Sequence, residues 1–268
     1  MTEFLCFRLH GPLAAWGDIA VGDIRPSLPH PTRSALLGLV GGALGVRRED
    51  DAAWRALDDA LAVACLTEAP GALLVDFHTA QGPHEKDLRA RAKETAKDAL
   101  PVPRSASRRE ELAFPRAKLD TQLSTRQYRV DAVWRVALSV RSGQASPWPL
   151  VAMRDALRRP AFVPYLGRRS CTLDIPMEPQ LVTAADPLAA LERAQFASDE
   201  ILAPLLLAGT GGARSLQWEG EWAALTPAES ARRRDRIVTR SRWQFGDRTE
   251  HRLMLDTREG ANDVSEQG

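Results

Sequence analysis

Two neighbouring stretches decide the fold: EFLCFRLHGPLAAWG over residues 3–17 and PTRSALLGLVGGALGV over residues 31–46. Residues 3–10 alternate loosely between apolar and polar side chains and end at a Gly-Pro pair, which predicts a strand that runs into a turn. Pro31 and the small polar residues after it mark a helix N-terminus. Glycine inside a helix costs about 1 kcal/mol relative to alanine, so the glycines of this helix indicate very close packing.

The chain continues as alternating strands and helices. The predicted elements are a helix at Asp50–Leu61, strands at 62–68 and 72–80, a strand at Tyr128–Leu138 and a helix at Pro149–Arg158. Beyond Gln81 the hydrophobic period is lost for about forty residues, and such segments are functional or disordered. The order strand, helix, two strands, insertion, strand, helix predicts an α+β domain of the RNA-recognition-motif or ferredoxin-like kind.

We predict three parts along the chain. Residues 1–175 form the RNA-recognition-motif-like domain, with an insertion at about 79–126. Residues 176–258 form a short C-terminal β region with one helix near Pro187–Ala197. The polar residues 259–268 are expected to be a disordered tail.

Composition predicts a soluble, cytoplasmic protein. Of the 268 residues, 44% are apolar and 26% are charged, which is ordinary for a globular protein. We find neither a signal peptide nor a run of about 20 apolar residues, so no membrane association is expected. The three cysteines lie far apart without a CxxC pair, which argues against disulfides and against a zinc site. No cofactor is expected.

The charge distribution points to a phosphate-binding segment. The formal net charge is only +1, but residues 81–135 contain 13 Lys and Arg against 8 Asp and Glu. A basic segment on a near-neutral body is typical of an arm that contacts nucleic acid. The alternative interpretation is a solvated, poorly ordered loop. Within this segment Arg108, Arg109 and Arg126 are candidate RNA contacts.

Two further clusters of side chains are candidate RNA-binding residues. Arg25 and Arg33 flank the turn into the glycine-rich helix, where unpaired N–H groups and guanidinium groups favour phosphate. The alternative is an ordinary helix cap with exposed arginines. Residues 165–171 (YLGRRSC) place Tyr165 next to Arg168 and Arg169, a pattern suited to base stacking and phosphate neutralisation. The same string is also compatible with a basic turn.

Evidence for catalysis is weak. The five histidines show no metal-ligand spacing, and we predict no metal site. His78, together with Tyr128 or Lys118, has the chemistry for general acid/base cleavage of RNA. A structural histidine is the competing interpretation, and no paired-carboxylate or Ser-His-Asp pattern is present.

Three stretches together resemble a known family. They are FRLHGPLAAWG at 7–17, PTRSALLGLVGGALGV at 31–46 and PYLGRRSCTL at 164–173. This combination resembles CasD, the fifth Cas protein of the E subtype of CRISPR systems. The resemblance covers residues 3–175 and becomes faint afterwards. The insertion and the C-terminal part, with its Arg232–Arg234 run, are longer than the family pattern leads us to expect.

The resemblance implies a non-catalytic subunit of the type I-E Cascade antiviral surveillance complex. Such a subunit binds the 5′ handle of the guide RNA (crRNA), caps a filament of CasC backbone subunits, contacts the large CasA subunit and helps the complex recognise target DNA. The insertion would be a protruding thumb. The candidates for gripping the handle are Arg25, Arg33, Tyr165, Arg168 and Arg169.

Two other functions stay open at this point. The first is a metal-independent endoribonuclease that cuts the CRISPR repeat, with His78, Tyr128 and Lys118 as the residues to suspect. The second is an RNA-recognition-motif protein unrelated to CRISPR, although the aromatic strand signature of that class is missing from the sequence.

Overall fold

The structure is a computed structural model, and it describes residues 1–18, 20, 22–95, 109, 112–208 and 214–255. The predicted tail at 259–268 lies outside the described residues. The chain divides into two compact units. The first comprises Met1–Asp18, Pro26–Leu74 and Gln127–Gly268, and the second comprises Ile19–Arg25 and Val75–Arg126.

The described strands and helices have the following bounds. The strands are β1 (Thr2–His10), β2 (Leu13–Ala14), β3 (Trp16–Gly17), β4 (Ile24–Arg25), β5 (Ser27–Leu28), β6 (Leu61–Ala69), β7 (Ala72–Pro83), β8 (Leu119–Val130), β9 (Val133–Val140), β10 (Gln180–Ala184), β11 (Arg214–Trp218), β12 (Glu229–Thr239) and β13 (Gln244–Leu255). The helices are α1 (Arg33–Ala43), α2 (Asp51–Ala60), α3 (Glu85–Thr95), α4 (Leu150–Arg158), α5 (Pro187–Arg193) and α6 (Asp199–Ala208), and a short 3-10 helix spans Arg116–Lys118.

A seven-stranded sheet organises the first unit, in the order β10-β1-β9-β6-β11-β13-β12. Every pairing in it is antiparallel. Strand β1 lies near one end, between β9 and β10, and is buried on both faces. Burial on both faces explains why residues 3–10 alternate only loosely between apolar and polar side chains. Leu5, Phe7 and Leu9 pack in one core, and Phe4 and Cys6 pack in the other. The mixed α/β architecture predicted from the sequence is therefore confirmed.

Helices cover both faces of this sheet. On one face, Leu37 of α1, Leu57 of α2 and Met153 of α4 pack in the core that contains Phe7. On the other face, Leu191 of α5 packs in the core that contains Phe4, Leu216 and Trp218. In each core, side chains of the sheet pack directly against side chains of the helices. The sheet is therefore the central layer of the first unit.

Two expectations about the middle of the chain were wrong. The predicted strand Tyr128–Leu138 is two strands, β8 and β9, because Asp131 adopts a left-handed backbone conformation (φ 56°) that turns the chain. The segment beyond Gln81 is also not structureless: it contains α3, and β8 begins at Leu119 and pairs with β7. The hydrophobic period fails there because much of β7 and β8 is exposed.

The C-terminal part adds to the same sheet. Strand β10 pairs with β1, and β11 joins β6 to the long β12–β13 hairpin. The predicted helix Pro187–Ala197 ends earlier, at Arg193, and a second helix, α6, follows it. Helix α6 was not predicted, because its run of apolar residues gives only a weak amphipathic pattern.

A buried charge network holds the hairpin against α1 and α2. The side chain of Arg33, 1% exposed, donates to Glu219 Oε1 at 2.7 Å and lies 3.2 Å from Asp58 Oδ1. The same Asp58 atom accepts the backbone N–H of Ile237 in β12 at 3.0 Å, and Glu219 Oε1 accepts that of Val63 in β6 at 2.7 Å. Burial lowers the pKa of the Arg33 guanidinium, which Glu219 and Asp58 partly offset, and the group stays charged.

The three cysteines are free and buried. Burial raises the pKa of Cys6 to about 12 and that of Cys65 well above its usual value. Such thiols are inert, since the thiolate is the reactive form. No helix in the described part of the chain is long and apolar enough to cross a membrane.

We predict that Arg33→Met destabilises the protein by about 3 kcal/mol, the lower end of the range for breaking a buried ion pair. The substitution removes the buried cation from Asp58 and Glu219, which keep only their partly exposed partners Arg236 and Arg141. Urea unfolding followed by circular dichroism measures the change. Arg232→Ala is the control, because Arg232 pairs with Asp247 at 2.8 Å with 80% of its side chain exposed, and such pairs contribute about 0–1 kcal/mol. Equal effects of the two substitutions would contradict the role given to the network.

Candidate nucleic-acid interface

The loop at residues 165–171 is a tight, closed turn anchored to the N-terminal segment. Leu166 N–H donates to Cys171 O at 2.7 Å, and Cys171 N–H donates to Arg168 O at 2.8 Å. Ala15 N–H donates to Leu166 O at 3.0 Å, and the Leu166 side chain is buried in the core. These bonds fix the loop's backbone, so the side chains between Tyr165 and Ser170 start from a defined position.

Glycines make this contact possible. Gly167 has a φ of +84°, and a Cβ added there would lie 1.9 Å from Ala15 O. A Cβ added at Gly11 would lie 2.3 Å from Thr172 O. Two of the three stretches that carry the family resemblance, 7–17 and 164–173, are therefore packed directly on each other although about 150 residues separate them.

The loop presents an aromatic ring and a guanidinium to solvent. Tyr165 is 43% exposed and Arg169 is exposed. No hydrogen bond or ion pair reaches Arg169 from any described residue. Arg168 is half-buried: its guanidinium lies 4.6 Å from the centre of the Tyr128 ring, and Nη1 donates to Gln127 O at 3.3 Å. The structure thus brings together three of the predicted RNA-binding residues.

One residue of β8 beside this loop was not among the predicted RNA contacts. Arg129 pairs with Ala14 in the β2–β8 register. Burial lowers the pKa of its guanidinium, and its Nε is buried without a partner among the described residues. A half-buried cation with an unused donor is a candidate for contact with an anion. In the sequence, Arg129 could not be distinguished from an ordinary polar position of a half-buried strand.

Arg33 does not lie at the surface, and its assignment as an RNA contact was wrong. Its guanidinium is committed to Glu219 and Asp58 in the buried network. The N-terminus of α1 is also occupied, because the Arg33 N–H donates to Asp235 Oδ2 at 2.7 Å. A carboxylate of the same chain therefore holds the position where a phosphate was expected.

The second unit carries the remaining basic candidates. Strands β4 and β8 are parallel and place Arg25 opposite Arg126. Arg25 is exposed and donates to Gly22 O at 2.7 Å, while Arg126 is half-buried. Arg109 is exposed, and Arg108 lies outside the described residues.

The three residues suspected of RNA cleavage have separate partners. His78 Nδ1 lies 3.9 Å from Asp76 Oδ2, and Lys118 Nζ lies 3.5 Å from Asp87 Oδ1. Tyr128 is 8% exposed beneath the Arg168 guanidinium. Each side chain is thus engaged elsewhere, and Tyr128 is the least accessible of the three.

Comparison with known proteins decides the family. The pattern of the family described as CRISPR-associated protein (Cas_Cas5) matches residues 4–250. The chain belongs to this Cas5 family. A relative from Escherichia coli (strain K12), "CRISPR system Cascade subunit CasD", is 31% identical over 199 residues, which cover 71% of this chain and 76% of the relative. The resemblance to CasD inferred from the three stretches is confirmed.

Solved structures of Cas proteins share the fold. A chain of a "CRISPR RNA-guided surveillance complex" aligns with a TM-score of 0.58 and 26% identity, covering 95% of this Cas5 chain and 90% of that chain. A "Crystal structure of Cas protein" aligns with a TM-score of 0.54 and 23% identity over 95% of both chains. The second match concerns the fold alone.

We predict that Gly167→Ala destabilises the Cas5 chain more than Gly143→Ala does. Both glycines have a positive φ, +84° and +74°, but a Cβ at Gly143 meets nothing within 4 Å. Gly143→Ala therefore costs only the roughly 1–2 kcal/mol of placing a residue with a Cβ in the left-handed conformation. Gly167→Ala has this cost and, in addition, the steric clash with Ala15 O. Thermal unfolding of the two variants measures the difference, and equal melting temperatures would contradict the close packing described for this loop.

Proposed function

We propose that this Cas5 chain is a non-catalytic subunit of a type I-E Cascade complex and binds the 5′ handle of crRNA. The observation that carries the proposal is the rigid loop that exposes Tyr165 and Arg169 beside Arg168. An aromatic face can stack an unpaired base, and the guanidinium groups can bind phosphate oxygens. The names of the Escherichia coli relative and of the RNA-guided surveillance complex support the assignment to such an assembly.

The proposed scaffold is an RNA-recognition-motif-like domain. In chain order β1, α1, β6, β9, α4 and β10 form a β-α-β-β-α-β sequence, with β7 and β8 inserted between β6 and β9. Their antiparallel order in the sheet, β10-β1-β9-β6, supports the ferredoxin-like arrangement of this class.

The second unit is the proposed thumb. Its paired cations Arg25 and Arg126, together with Arg109, would meet RNA backbone or a neighbouring backbone subunit. The partners proposed are CasC backbone subunits, whose filament the chain would cap, the large CasA subunit and, through the assembled complex, target DNA. The proposed compartment is the cytoplasm.

The chemistry of the loop supports the binding of single-stranded RNA. Single-stranded RNA is recognised through splayed bases that stack on aromatic or guanidinium planes and form hydrogen bonds at their edges. Each phosphate neutralised contributes a slope of about −0.7 to the dependence of binding on salt. Such contacts would hold the 5′ handle of the crRNA in a single conformation. Assembly of the backbone filament would then begin at a defined end of the RNA.

We expect the purified chain to bind mature crRNA and to leave end-labelled repeat RNA intact. The double variant Arg168→Ala/Arg169→Ala should weaken handle binding by about tenfold or more, since hydrogen bonds to charged groups are the strong ones. Native gels measure binding and denaturing gels measure cleavage. Arg154→Ala is the matched control, because Arg154 already pairs with Asp155 at 2.8 Å.

Metal-independent cutting at one position of the repeat would contradict this function and favour the endoribonuclease alternative. His78→Ala and Lys118→Ala would then be the variants to compare. Unchanged affinity in the Arg168→Ala/Arg169→Ala variant would leave an RNA-binding subunit but remove the loop from its RNA contact surface.

A further inference from the structure

The tip of the β12–β13 hairpin, residues 240–243, is held rigidly on the N-terminus of α2. The N–H groups of Arg240 and Ser241 donate to Asp51 Oδ1 at 2.7 and 3.1 Å. Trp243 adopts a left-handed backbone conformation with a φ of 58°. A bulky residue in this region is uncommon and persists only where its surroundings impose it. The tip therefore presents Trp243 from a constrained backbone.

Trp243 is the exposed member of the seven tryptophans, with 58% of its surface accessible. The guanidinium groups of Arg48 and Arg240 each lie 5.0 Å from the centre of its ring system. Arg240 also lies 4.7 Å from the centre of the Trp54 ring, and Phe245 packs edge-on against Trp243 at 5.7 Å. The result is a layered cluster of rings and guanidinium planes that remains half open to solvent.

The cations of this tip lack carboxylate partners. Within the described residues, Arg48, Arg240 and Arg242 form no ion pair, while Asp51 is committed to the backbone of the tip and the Ser241 hydroxyl. Arginines farther along the same hairpin are different, because Arg232, Arg233 and Arg248 pair with Asp247, Glu250 and Asp235. These three strand arginines thus have carboxylate partners, whereas the described arginines of the tip have none.

One residue of the loop at 165–171 influences the charge of the tip. Burial lowers the pKa of Arg240, Tyr165 offsets part of that effect, and Arg48 adds to it. Tyr165 therefore lies close enough to Arg240 to interact with its charge.

We propose that this tip binds one unpaired nucleotide of single-stranded RNA, with its base stacked on the Trp243–arginine cluster and its phosphates bound by Arg48 and Arg242. The inference rests on the proposed RNA-binding function and extends it to the C-terminal hairpin. Uncompensated guanidinium groups around an exposed aromatic ring favour a polyanion with planar bases. They disfavour an apolar or basic protein surface, because burying unpaired cations is costly.

The test measures the affinity of the full chain for fluorescently labelled mature guide RNA by anisotropy. Trp243→Asn removes the ring and is the informative change, since asparagine tolerates the left-handed conformation. We expect it to weaken binding about fivefold or more, the lower bound for losing one stacked base. Trp243→Phe should retain most of the affinity. Arg242→Ala should reduce the salt slope by about 0.7, and Arg232→Ala should leave it unchanged.

An abasic scan of the guide locates the stacked base. At the proposed nucleotide, the abasic substitution and Trp243→Asn should have less than additive effects, because each removes the same contact. Thermal unfolding checks that the variants are folded. If Trp243→Asn is unfolded, Arg48→Ala/Arg242→Ala carries the test, with the same expected loss of affinity and of salt slope.

The possible failures are distinguishable. A wild-type chain that does not bind RNA overturns the proposed function and this inference with it. A wild-type chain that binds RNA, together with a folded Trp243→Asn variant of equal affinity, overturns only the inference. Loss of co-purification with other Cas subunits at unchanged RNA affinity would make the tip a protein contact, which also overturns it.

Discussion

The ion pairs of Arg33 are the interaction on which the rest of the first unit depends. One guanidinium, fully inside the protein, joins the start of α1 to Asp58 at the end of α2 and to Glu219 just after β11. The cost of removing these charges from water is high. It is offset because both carboxylates also accept backbone N–H groups of β6 and β12 and pair with Arg141 and Arg236. The network has this geometry only when the C-terminal hairpin is docked.

That dependence explains how the candidate interface is built. The loop at 165–171 rests on the segment that follows β1, and the hairpin tip rests on α2. Both attachments use hydrogen bonds to elements that the central sheet and the Arg33 network hold in place. The side chains proposed to bind RNA therefore project from short turns, while the rigidity comes from the elements beneath them.

The elements of the first half were predicted well, because α1 and α2 bury apolar side chains at helical spacing and because β1 and β6 are short buried runs. Local periodicity failed where a single residue changes the backbone, as Asp131 does between β8 and β9. The prediction for Arg33 failed as well, because an arginine at an exposed helix cap and an arginine in a buried ion pair have the same local sequence pattern. The carboxylates that decide between them lie 25 and 186 residues away in the chain.

Only one of the two parts of the candidate site could be predicted from the sequence, for a similar reason. Tyr165, Arg168 and Arg169 are adjacent in the sequence, so their motif could be found from composition and order. Arg48, Arg240 and Trp243 belong to two segments almost 200 residues apart and form one cluster only after the hairpin docks. No local pattern contains that information.

The position of β12 at the open end of the sheet affects how a larger assembly can grow. An exposed edge strand of 11 residues would ordinarily invite another strand to pair with it. Exposed arginines at 232, 234 and 236, together with shifts in register after Arg233 and Ile237, oppose such pairing. The opposite edge, β10, has only five residues. Strand addition from another chain is therefore disfavoured at both edges of this sheet.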